Sequence, residues 1–191
     1  MRNARAKDFG IGTYRRAAPD SAQILGVLVR TRNDDDLDRC VEIARSVHRL
    51  DGYPPYLPGD LRTFIASPAI CAWVAELDGR VVGHVALHRH SSLQVMALAS
   101  AATRQPTDRL GAVARLVVAP EARRRGIGRA LLTTAASAAV ERGLSPILDV
   151  ARQFGGAVSL YEHCGWACAG VVAVPLGDAI LEELVYIGPT P

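Results

Sequence analysis

Residues 115–130 read R-L-V-V-A-P-E-A-R-R-R-G-I-G-R-A, and they constrain the possible folds more than any other stretch of the chain. An apolar strand over residues 116–119 is closed by Pro120. A basic, glycine-containing turn then opens an alanine- and leucine-rich helix, predicted over residues 129–142. Gly126 and Gly128 have no side chain to block a ligand. The backbone N–H groups between Arg124 and Ala130 can therefore converge on an anion at the positive end of the helix dipole. A pyrophosphate suits such a cradle. An arginine run before a helix is by itself more often a solvated face, so the unit gains its meaning from its surroundings.

Downstream, P-I-L-D-V (residues 146–150) reads as a buried strand, and A-V-S-L-Y-E-H-C-G-W (residues 157–166) as a short helix stopped by Gly165. Upstream, Asp78-Gly79 joins two apolar runs, a hairpin signal because a type I′ turn needs positive φ at both central positions. Residues 24–32 form a first strand. Asn33 to Asp36 cap a helix with the stripe Leu37, Val41, Ile43, Ala44 and Val47, and the prolines of residues 51–60 make a loop ahead of a second helix over residues 61–66. Residues 91–110 are a long connection, helical from Val95, and strands over residues 166–174 and 180–187 finish the chain.

The turn resembles motif A of the GNAT superfamily of N-acetyltransferases, R/Q-x-x-G-x-G/A, matched by Arg123, Gly126 and Gly128. Ala157, Leu160, Tyr161, Glu162, Gly165 and Trp166 resemble the family's A-x-x-L-Y-E-x-x-G-F/W segment. The resemblance implies an α/β (α+β) fold: a mixed, mostly antiparallel sheet of six to seven strands flanked by helices, with the fourth and fifth strands splayed. It implies acetyl-CoA as co-substrate. Leu116, Val117 and Val118 would hold the pantetheine arm, with a Val117 or Val118 N–H polarising the carbonyl. Arg123, Arg124, Arg125, Gly126, Ile127, Gly128, Arg129 and Ala130 would hold the pyrophosphate. Tyr161 would protonate the departing thiolate after direct attack by a primary amine, with no metal and no covalent enzyme intermediate. The acceptor would be a small-molecule amine or a peptide, with Tyr53, Tyr56 and His88 expected at its mouth.

Two departures from the family pattern stand out. Phe154, between Arg152-Gln153 and Gly155-Gly156, occupies the place of a frequent asparagine, and no carboxylate precedes Leu116. Candidates for a general base are Glu76 and the period-two set His84, His88 and His90, each histidine being more commonly a hydrogen-bonded sheet residue. The missing carboxylate keeps open a non-catalytic acyl-CoA-binding sensor. An arginine-rich nucleic-acid module is a further alternative, though it lacks interleaved aromatics and any recognition motif.

At 191 residues and 49% hydrophobic, the chain fits one domain over residues 23–191, behind an N-terminal appendage over residues 1–22 without clear periodicity. The net charge of +3 comes almost wholly from scattered arginines, Lys7 being the only lysine, so neither nucleic acid nor a membrane is an expected partner. Cys40, Cys71, Cys164 and Cys168 fit no zinc spacing, and buried free thiols point to a reducing cytoplasm. No run has signal-peptide or membrane-span character. A homodimer remains open.

Overall fold

The computed structural model describes residues 22–24, 26–55, 59–177 and 179–189. In chain order the elements are β1 (Ala22–Ile24), β2 (Val27–Thr31), α1 (Leu37–Asp51), α2 (Leu61–Ala66), β3 (Cys71–Leu77), β4 (Arg80–His88), α3 (Leu93–Thr103) and β5 (Leu110–Val118). Then follow α4 (Ile127–Glu141), β6 (Ser145–Ala151), α5 (Gly155–His163), β7 (Ala167–Leu176) and β8 (Ala179–Ile187). The strands join one sheet in the order β1-β2-β3-β4-β5-β6-β8-β7. Only β5 and β6 run parallel, and they pair over just Leu110–Ala112 and Ser145–Ile147 before parting. The expected splay lies there, between residues 113–118 and 148–151.

The eighth strand arises because residues 24–32 are not one strand. Gly26, at φ +82°, turns the chain so that Ala22–Ile24 pairs back on Val27–Val29. The expected appendage lies outside the described residues except at Ala22, which already belongs to β1. Capping chemistry sets the start of α1 as read. The Asn33 side chain accepts from the Asp36 N–H at 3.1 Å and the Asp36 carboxylate accepts from the Asn33 N–H at 2.8 Å, a reciprocal pair that satisfies two terminal donors. Arg30 then clamps Asp36 at 2.7 Å and Glu76 at 2.6 Å, fastening α1 to β2 and β3.

Helix α4 lies close against β4 because Gly83 lets it. A Cβ there would stand 2.9 Å from Leu131 Cδ1, 3.2 Å from the Val117 carbonyl oxygen and 3.3 Å from Ile127 Cγ2. The alanine-rich face of α4, with Ala130, Leu131, Ala135 and Ala139 buried, makes the same approach from the other side. Helix α3, apolar nearly all round, starts at Leu93 rather than Val95 because the Ser92 hydroxyl accepts from the Val95 N–H. It builds a second, smaller core from Val95, Met96 and Ala99 against Leu110, Ala112, Ile147 and Val185. All four cysteines are free thiols, but only Cys40 is buried as expected; Cys71 and Cys164 are half-buried and Cys168 is exposed. Among the described residues, no helix is long and apolar enough to cross a membrane.

Replacing Gly83 by Val should overpack the α4–β4 contact and cost about 1–3 kcal/mol of unfolding free energy, measured by urea denaturation. Unaltered stability would show that the close approach does not depend on that glycine.

Candidate active site

The turn between β5 and α4 is shaped by two left-handed residues, Arg124 at φ +61° and Gly126 at φ +78°. Gly126 is the N-cap, so α4 begins at Ile127, two residues earlier than predicted. Ala130 is the first residue of this segment to find a helical acceptor, donating to the Gly126 carbonyl at 3.0 Å. The N–H groups of Arg124 to Arg129 have no backbone acceptor among the described residues. They form the array of orphan donors that an anion at a helix N-terminus satisfies. The two glycines differ in purpose. A Cβ at Gly126 would meet nothing within 4 Å, so the cradle is open there, whereas one at Gly128 would stand 3.2 Å from Leu160 Cδ2, so Gly128 lets α5 pack on α4. Arg123 turns its guanidinium inward, to Asp51 at 3.2 and 2.5 Å and to the Val118 carbonyl at 3.3 Å. It braces the turn against the end of α1, whereas Arg124, Arg125 and Arg129 are exposed.

The splayed walls beyond this turn carry the polar groups. On the β5 side the Ala119 N–H donates to Val82 on β4 at 2.8 Å, so alternation turns the Val117 N–H toward β4 as well and the Val118 N–H into the splay. Of the two donors expected, Val118 is the one that faces the gap. On the β6 side Asp149 sits between the buried Leu148 and Val150 and accepts from the Ser91 hydroxyl at 2.7 Å. Burial raises its pKa above the usual carboxylate range. Glu183 on β8, paired in register with Ala151, is pushed up to about 7 by burial and by the Asp149 charge.

Tyr161, on α5, is only 8% exposed and packs between the rings of Trp166 and Tyr186, with centroids 6.3 and 5.9 Å away. Burial above all, with a smaller electrostatic contribution that includes the Asp149 carboxylate, raises its pKa, so the phenol keeps its proton at neutral pH. Its hydroxyl has no hydrogen-bond partner among the described residues, whereas the neighbouring Tyr186 hydroxyl donates to Glu162 at 3.1 Å. Tyr53, in the connection after α1, meets Phe154 edge-on at 5.6 Å, so that connection reaches the β6–α5 lip of the splay. Phe154 thereby has a packing role where an asparagine was expected.

The other predicted residues divide. Tyr56 lies outside the described residues. Glu76 is held by Arg30 at 2.6 Å, with β4 between its strand and β5, which takes it out of the splay as a base. His84 and His88 are buried in β4, but His90 lies past the end of that strand and is exposed, so the three do not form one row. His84 Nδ1 donates to the Arg115 carbonyl at 3.0 Å and its Nε2 accepts from Arg32 at 3.2 Å. Burial, reinforced by the neighbouring arginines, holds its pKa down at about 4. His88 Nδ1 donates to the Pro68 carbonyl at 2.9 Å and its Nε2 accepts from Arg115 at 2.6 Å. Both rings are neutral and bonded on both nitrogens. Asp149 and Glu183 were not among the sequence-based candidates. A single acid inside the otherwise apolar P-I-L-D-V is the signal that could have found Asp149, since burying a carboxylate in a strand is costly without a use or a partner.

Comparison with known proteins identifies the family and the fold. The model of the acetyltransferase (GNAT) family matches residues 37–166. Among solved structures, the Brucella melitensis ribosomal-protein-alanine N-acetyltransferase superposes with a TM-score of 0.62 at 21% identity, covering 84% of this chain and 98% of that one. An N-acetyltransferase from Staphylococcus aureus Mu50 gives 0.64 at 16%, covering 84% and 96%. Arabidopsis thaliana NAA60 in complex with acetyl-CoA gives 0.63 at 19%, covering 84% and 97%. These structural likenesses concern the fold, and no curated protein matches the sequence. With the family model spanning the strand, the anion turn and the Tyr161 helix together, the chain belongs to the GNAT acetyltransferase family.

Proposed function

We propose that the protein moves an acetyl group from acetyl-CoA to a primary amine by direct attack, with Asp149 as general base and Tyr161 as general acid. The observation that carries this reading is the Tyr161 hydroxyl, buried, protonated and without a partner among the described residues, lying within electrostatic reach of the half-buried Asp149 carboxylate beside an open anion cradle. The residues present fit the co-substrate. The orphan N–H groups from Arg124 to Arg129 suit its pyrophosphate, and the edge of β5 over residues 116–118 suits its pantetheine amides, as a peptide adds to a sheet edge. When bound, acetyl-CoA supplies a thioester carbonyl for the amine to attack.

The chain's own residues supply the rest. Asp149, oriented by Ser91, accepts the proton that the amine must lose before it can attack. The Val118 N–H polarises the carbonyl oxygen as the new C–N bond forms. Tyr161 gives its proton to the sulfur as the C–S bond breaks, and apolar packing around its ring excludes competing water. The four free thiols support a reducing compartment, the cytoplasm. Release of free coenzyme A, assayed over a panel of primary amines and peptides, tests the reading. Coenzyme A binding without release on any of them would leave the sensor alternative in its place.

Gly126→Val places a β-branched side chain at φ +78° and in the open cradle, so acetyl-CoA affinity should fall about tenfold or more by calorimetry while the fold persists by circular dichroism. Tyr161→Phe keeps the ring and removes the donor. Turnover should drop by about 10²-fold with acetyl-CoA affinity near normal, and full turnover at saturation would exclude the general-acid role. Asp149 must be ionised to act, and its raised pKa delays ionisation, so kcat/KM should climb with pH through a value above the ordinary carboxylate range. Asp149→Asn should lower kcat/KM and remove that limb. A limb that survives the substitution belongs to another group.

A further inference from the structure

We propose that two copies of this chain join through β7, each adding its exposed edge to the same edge of the other so that the two sheets become one. Of the two edges of the sheet, β1 is three residues long, whereas β7 runs for ten and pairs only with β8. Its sequence, A-C-A-G-V-V-A-V-P-L, holds no charged side chain, and no residue in it is fully buried. A long apolar edge of this kind pairs with another strand unless charge, proline or a bulge blunts it. Strand β7 has a bulge at Cys168/Gly170 and a proline at Pro175, and these leave Val171–Val174 regular between them. Apolar side chains stand open beside that stretch. Val171 is 42% exposed and Ile180 on β8 73%, and the register, Val171 opposite Leu184 and Pro175 opposite Ile180, puts both on one face.

On the other face lies α3. A Cβ at Gly170 would stand 3.2 Å from Leu98 Cδ2, so the helix sits directly over β7. Its eleven residues, L-Q-V-M-A-L-A-S-A-A-T, also hold no charge, and the first of them, Leu93, is 86% exposed. In a chain that is 21% charged, helix and strand together form an uncharged end of the molecule. Charge argues for a second copy as the occupant. Each copy carries a net +3, so two copies repel except where they meet without opposing charges, and depletion of charge marks the core of an interface. A second copy also presents the same unpaired backbone groups over the same length, and an antiparallel pair about a two-fold axis is self-complementary. An axis through Val172 sets Val171 of each copy against Ala173 of the other and keeps both α3 helices on one face. The eight α3 residues and ten β7 residues that retain exposure approach the roughly 20 a side of a standard interface. The chain ahead of Ala22 joins the sheet at β1, the opposite edge, which favours a second copy over the chain's own N-terminus.

Sedimentation velocity of the full chain over a dilution series should show the mass of a dimer that dissociates on dilution. Val171→Arg and Ala173→Arg each bring like charges together at the junction. Each should raise the dissociation constant about tenfold or more, with circular dichroism unchanged. Leu50→Arg, at a 63% exposed position on α1, should leave the dimer intact. In the unsubstituted protein, amides of Val171–Val174 should be protected from hydrogen exchange where the dimer forms and lose protection where it dissociates, a comparison that stands even if the variants fail to fold. A monomer throughout the series, a dimer that both β7 variants leave intact or that Leu50→Arg weakens equally, or β7 amides that exchange as freely in the dimer as in the monomer would each overturn the inference. The monomer would leave this edge to a foreign chain or to the chain's own N-terminus, and the surviving dimer would put the contact elsewhere.

Discussion

Two parallel strands that pair for three residues and then separate create everything else that this protein can do. After Ala112 and Ile147, β5 and β6 no longer satisfy each other's backbone groups, and the Val118 N–H is among those turned into the gap. An unpaired strand edge of this kind is a liability unless another chain or ligand completes it. The bulge at Arg115 makes the parting more pronounced, because two β5 residues opposite one β4 residue bend the strand and increase its twist. Apolar packing backs the sheet on either side of the gap, with α4 against β4 and β5, and α3 chiefly against β7 and β8.

The same gap explains the electrostatics of the site. Asp149 stays in a nearly dry strand because Ser91, carried by the long β4–β5 connection, supplies one hydrogen bond. That connection is thus tied chemically to the candidate base as well as packed on the sheet. Glu183 is raised to about 7 first by burial and then by the Asp149 charge, so both carboxylates on this wall titrate above their ordinary range. Tyr161 belongs to the same field and remains a phenol. Its pocket is closed by Trp166 and Tyr186, whose rings are fully or nearly buried.

Donor and acceptor sides are physically joined. Arg123 ties the anion turn to Asp51 at the end of α1, and two residues later Tyr53 meets Phe154 at the opposite lip. Movement of the α1–α2 segment therefore bears on the cradle and on the acceptor mouth together. The Arg123–Asp51 pair is about one-third exposed on each side, so its contribution is geometric more than energetic.

Local chemistry decided much of this in advance. The strand, glycine turn and helix around residues 115–130, the Asp78-Gly79 hairpin, the Asn33 cap and the Tyr161 segment are all legible in the chain, because each depends on φ preferences, capping groups or a periodicity spanning a few residues. Other features required the tertiary structure. The bulge at Arg115 depends on β4 pairing from outside the segment, and the ion pairs of Glu76 and Arg123 join residues far apart in sequence. Asp149 is a lone acid in an apolar strand until Ser91, Glu183 and Tyr161 are brought around it, 58 residues separating it from Ser91. Residue type and spacing encode local conformation, whereas the protonation states of Asp149, His84 and Tyr161 depend on burial and on distant neighbours, which only the packed sheet and helices supply.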